Sequence, residues 1–165
     1  MSDTARFALP LLESGQAQKE LTHNEALARI DIGLHAGVEE AGLDVPPAQP
    51  SVGQCWIVGP APTGAWIGYA GALAGWTGGG WRFLSPRDGM RVWNRAASRA
   101  VVRVGTAWED GVVRARRILV DDVQVVGAAQ PAVPAPMGGA TIDAEARVAI
   151  GRILARLTAH GLLAP

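Results

Sequence analysis

Between residues 23 and 41 apolar side chains return at intervals of three and four: Leu27, Ile30, Leu34, Val38 and Ala41. That spacing lays one stripe along a helix and predicts a helix over about 23–40. Thr22 followed by Glu25 fits a capping box at its start, and Gly42 fits a stop at its end. Ahead of it, Phe7, Leu9, Leu11 and Leu12 surround Pro10, which disfavours helix. An extended arm is expected there, lying on a surface of its own or of a partner.

Beyond the stiff connector 45–50 the period shortens. Strands are expected at 53–59, 80–85, 90–95, 99–105, 114–120 and 122–127, separated by Gly-, Pro- and Asp-rich turns. Residues 65–76 fit either a strand or a loop with a helical turn. A second Pro-rich stretch, 128–140, follows. The three-and-four spacing then returns at Ala146, Ile150, Ile153 and Leu157, with Leu154 widening the stripe. Thr141 is the expected N-cap of this last helix and Gly161 its C-terminal stop.

These elements define an α+β fold: an N-terminal arm and helix, a central Trp-rich antiparallel sheet or partial barrel, and a tethered C-terminal helix. The expected divisions are 1–44, 45–127, 128–140 and 141–165. The seam Ala146, Ile150, Ile153, Leu157 spans about two heptads, too short for a stable helix alone. It packs either on its own sheet or on copies of itself. The Pro-rich tether favours the second, and with it a homo-oligomer.

Composition narrows the function. The chain has 165 residues, the size of one ordinary domain, and 15 basic against 15 acidic residues. Zero net charge calls for neither nucleic acid nor an anionic membrane as partner. No apolar stretch reaches the length of a membrane span, and the N-terminus lacks a secretory signal, so synthesis in the cytoplasm is expected. The single cysteine, Cys55, lies in the apolar run Cys55-Trp56-Ile57-Val58 and reads as a buried, inert thiol.

All six tryptophans fall between residues 56 and 108. Trp56, Trp93 and Trp108 read as sheet core. Trp66, Trp76 and Trp81 sit in or beside glycine-rich turns, where exposed indoles would stack on a sugar ring. His23, Asp31 and His35 do not make a metal site, because His23 lies about three turns from His35. No cofactor fingerprint or nucleophile motif is present. The acids lie near turns, where Asp serves local hydrogen bonding, so no enzyme is expected.

The stretch "LPLLESGQAQKELTHNEAL" raises a separate point. Gln16, Gln18, Lys19, His23 and Asn24 are more polar groups than a helix start requires, and they are candidate contacts to other subunits or to a surrounding particle. This stretch, with Gly53–Val58, Thr63–Trp66 and Gly80–Gly89 in order, resembles a domain family of unassigned function that recurs in bacterial prophages and gene transfer agents. Residues 125–163 resemble a C-terminal cassette of phage tail-fibre-like proteins. The resemblance implies a structural component of a phage-like particle: a head-spike or tail-fibre base protein, trimeric or pentameric. Such a protein contacts capsid or tail proteins and a longer fibre, and supports attachment to host surface polysaccharide. It would be made in the cytoplasm and released with the particle. A carbohydrate-binding module and a polysaccharide-cleaving tailspike are the alternatives.

Overall fold

A computed structural model describes residues 3–12, 15, 19–138, 140 and 143–164. The chain divides into two compact units, Met1–Val112 and Val113–Pro165. The N-terminal unit holds helix α1 (Lys19–Gly33) and strands β1 (Gly37–Val38), β2 (Ala41–Leu43), β3 (Cys55–Val58), β4 (Leu73–Thr77), β5 (Gly80–Leu84), β6 (Arg91–Asn94), β7 (Arg99–Val104) and β8 (Ala107–Asp110). They form two open four-stranded sheets, ordered β2-β3-β4-β5 and β1-β6-β7-β8. The fold is α+β without a closed barrel. Each sheet carries one parallel pair, β2 with β3 and β1 with β6, and the remaining pairs are antiparallel.

β3 organises both cores. It is apolar at every position and buried at every position, as expected of a strand covered on both faces. Alternation sends Cys55 and Ile57 into one cluster, with Ile32, Val38, Leu73, Val92 and Val101. It sends Trp56 and Val58 into the other, with Trp66 and Ala74, edged by Trp76, Trp81 and Phe83. Gly75 on β4 lets α1 settle against the sheet. A β-carbon there would stand 2.6 Å from two side-chain carbons of Ile32.

The first helix departs from the expected stripe. It starts at Lys19 and ends at Gly33, so Thr22 is inside it and caps nothing. Residues 37–38 and 41–43 are strands β1 and β2, not helix. Ile30 and Leu34 are exposed, whereas Asp31 and Ile32 are buried. The chosen face is set by what the sheet accepts: Ile32 fits over Gly75, and Ile30, equal in size but on another face of the helix, is left outside. The arm is not extended either. Asp3 bridges Pro10, and the Thr4 amide donates to the Leu9 carbonyl at 2.9 Å, closing a tight loop.

In the second sheet, Val92 of β6 opposes Val101 of β7, and both are buried. Period two then turns Trp93 outward, 50% exposed. Trp93 is therefore not core. β8, unforeseen, returns after the Gly105-Thr106 turn to pair with β7.

The C-terminal unit contains a hairpin of β9 (Ile118–Val120) and β10 (Val123–Val126), and helix α2 (Ala144–Ala159). The hairpin falls on this side of the division at 112, not with the Trp-rich sheets. Asp121 and Asp122 carry φ of 48° and 62°, the signature of a two-residue type I′ turn. Asp143 caps α2, accepting the Ala146 amide at 2.8 Å; the expected cap, Thr141, lies outside the described residues. Gly161 ends the helix as expected, at φ 71°. Leu162 N–H donates to Leu157 C=O and Gly161 N–H to Thr158 C=O, a Schellman closure. The Pro-rich stretch is more than a spacer: Gln130 pairs with the chain on both sides of Leu163.

Candidate functional site

In the N-terminal unit the arm, the inner face of α1 and the β4–β5 turn enclose a groove of about 680 Å³. Its apolar wall comes from Leu11, Leu21, Ala28, Ile32, Val52 and Trp76, and Glu25 and Arg82 line it as well. Arg82 Nε meets Glu25 Oε2 at 2.6 Å, and Arg29 Nε meets Oε1 at 3.1 Å. Burial raises the Glu25 carboxyl, but hydrogen bonds and charge from Arg82 and Arg29 outweigh it and hold the group below its ordinary value.

Two polar locks form this wall. Asp31, 5% exposed, accepts three hydrogen bonds from the arm: Thr4 Oγ1 at 2.8 Å, Phe7 N at 2.8 Å and Arg6 N at 3.0 Å. The Arg6 guanidinium reaches the other way and donates to the carbonyls of Asp31, Ile32, Leu34 and His35. The first two are acceptors that the end of α1 leaves open, where a cation is favoured, and the other two follow just past it. Sequence reasoning missed this pair. Its only signal was an aspartate set between two isoleucines, Ile30 and Ile32.

The polar residues of the helix start separate into groups. Asn24 is not an outward contact. Its Oδ1 accepts the Leu12 amide at 2.9 Å and its Nδ2 donates to the Leu12 carbonyl at 3.0 Å, clamping the arm as a strand neighbour would. His23 turns Nδ1 onto the Lys19 carbonyl at 2.9 Å. Lys19 is exposed, while Gln16 and Gln18 lie outside the described residues. Glu25 serves Arg82 and Arg29 instead of a capping box.

Four of the tryptophans, Trp56, Trp66, Trp76 and Trp81, pack as one group. Trp66 is fully buried, which removes it as a sugar platform. The 3₁₀ turn Gly64–Trp66 drives it against Trp56 at 6.3 Å and edge-on to Trp81 at 5.2 Å. Trp76 and Trp81, cross-strand partners at 4.9 Å, are half-buried. Trp108 donates Nε1–H to the Gly71 carbonyl at 2.8 Å.

Residues 23–109 match a family described as a protein of unknown function, DUF2793. The chain belongs to the DUF2793 family. The matched segment runs from α1 to β8, so the DUF2793 core lies within the N-terminal unit and the C-terminal unit lies outside it. No curated protein matches the chain.

That outer unit has its own exposed chemistry. No residue of α2 is buried. Of the expected seam, Ala146, Ile150 and Ile153 are exposed and Leu157 is half-buried. The side of α2 turned partly inward carries Arg147, Gly151, Leu154 and Thr158. Both strands of the hairpin are exposed throughout. Among the described residues no cluster of His, Cys, Asp or Glu could hold a metal ion, and no helix is long and apolar enough to cross a membrane.

Proposed function

We propose that this protein is a structural, non-enzymatic component of a phage-like particle of the prophage or gene-transfer-agent kind. It is a head-spike or tail-fibre base protein that assembles as a symmetric homo-oligomer and supports attachment to the host surface. One observation carries the reading: outside the DUF2793 core the chain presents apolar side chains on a hairpin and a helix, and buries none of them. A soluble single copy gains nothing from such a surface, whereas a symmetric assembly covers it. The order of the motifs along the N-terminal half and the fibre-like tail support the particle assignment. The acids support a non-catalytic role, since Glu25, Asp31, Asp44, Asp88 and Asp110 each hold a local partner.

In this reading Gln16, Gln18 and Lys19 contact the particle, and Ile150 and Ile153 lie between copies. The protein is made in the cytoplasm and leaves with the particle. Native mass in solution tests the assembly. A trimer or pentamer is expected, and Ile150→Asp with Ile153→Asp should shift it toward monomer. A wild-type monomer at about 100 μM, far above a typical assembly constant, overturns the reading. Replacing Gln16, Gln18 and Lys19 together with Ala should preserve the fold and reduce incorporation into particles.

A second reading, direct glycan binding, is favoured by the exposed indole of Trp93. Titration with host capsule polysaccharide, compared with Trp93→Ala, tests it.

A further inference from the structure

The hairpin carries a more specific message than its exposure alone. Ile118 opposes Val126 and Val120 opposes Val123. Opposed residues of an antiparallel pair project to the same side. Four β-branched side chains therefore share one face, and none is covered: they are 47, 39, 55 and 65% exposed in that order. A two-stranded hairpin with a bare apolar face is marginal in water. The irregularity between Gln124 and Val126 spoils the β10 edge for strand addition. The face, more than the edge, is left to find a partner.

The charges lie at the two ends. Asp121 and Asp122 make the turn, and Arg116 and Arg117 precede β9; all four are exposed. A hairpin acidic at its tip and basic at its base is complementary to a second copy of itself, placed tip to base. Such a contact joins different surfaces of each copy, so repeating it runs around a ring.

Building on the homo-oligomer reading above, we propose that three copies of this hairpin close into a triangular prism. Each hairpin forms one side, with Ile118, Val120, Val123 and Val126 facing the axis. The Asp121–Asp122 turn of each copy meets Arg116 and Arg117 of the next at the corners. Dimensions select three. From Arg116 to Asp121 the chain rises about 17 Å at ~3.4 Å per residue. A triangle of that side holds each face about 5 Å from the axis, half of the ~10 Å at which sheets pack face to face. A pentagon of the same side holds them about 12 Å away and leaves the valines facing a hole.

Native mass and assembly constants of the full chain and its variants test this. The wild type should be a trimer. Val120→Thr with Val123→Thr, isosteric but polar, should weaken assembly about a hundredfold or more. Asp121→Asn with Asp122→Asn keeps residues that tolerate the left-handed turn. That pair, and Arg116→Gln with Arg117→Gln, should each weaken it about tenfold. All four changes together should be no worse than either pair, since touching groups are not additive. Tryptophan fluorescence, which reports only the N-terminal unit because all six indoles lie in residues 56–108, should show unfolding there unchanged. A pentamer, a trimer indifferent to the threonine pair, or additive charge effects overturn the prism while leaving the homo-oligomer standing. A monomeric wild type overturns both.

Discussion

The two units of this chain solve the same problem in opposite ways. In the N-terminal unit a four-residue strand, β3, is covered on both faces, and the helix is locked to the arm by Arg6 and Asp31. In the C-terminal unit a hairpin of similar apolar content buries nothing, and a 16-residue helix has no buried position. Apolar content alone therefore does not say where a core forms. Connection does: β3 has strands on both sides within its own chain, and β9 and β10 have only each other.

Truncation should separate the units most sharply. Trp66→Ala empties a fully buried site among three other indoles and should cost the N-terminal unit about 3–5 kcal/mol, read by urea unfolding. Leu154→Ala, on the half-buried side of α2, should leave that transition where it is. Gly75→Val comes next. It forces Ile32 off the sheet and should cost about 1–3 kcal/mol through overpacking, by the same measurement.

Asp31→Ala should cost about 2–3 kcal/mol, because two arm amides lose their shared acceptor. Faster tryptic cleavage after Arg6 would show that the arm has come free. The smallest effect is that of pH. Glu25 has a folded value below its unfolded one, so its contribution is present above the ordinary carboxylate range and is lost as pH falls through the lowered value. Asp110, held low chiefly by its hydrogen bond from Arg99, follows the same sign. Acid titration from pH 6 to 3 should therefore destabilise the wild type slightly more than Glu25→Gln.

Much of this contrast was legible in the sequence. The unbroken apolar run 55–58, the turn glycines and the isolated heptads near the C-terminus each say what kind of element they are. The face of α1 was not legible, because it is chosen by a glycine on another strand. Trp66 and Trp93 exchanged roles for related reasons. A 3₁₀ turn carries the first inward, and a cross-strand Val–Val pair fixes the second outward. The polar residues around 24 and 31 looked like surface chemistry. Their true partners, Leu12, Thr4, Arg6 and Phe7, lie in an arm whose fold no periodicity announces. For the hairpin, pattern gave the strands but not their lack of cover.

Cys55 turns this architecture into a gauge. The thiol is buried among the strands, and desolvation pushes it up to about 11, so alkylating reagents at neutral pH find neither access nor thiolate. It is the chain's one sulfhydryl. Each labelling event therefore records a single opening of the N-terminal core, and the rate of mass increase becomes a clock for its breathing.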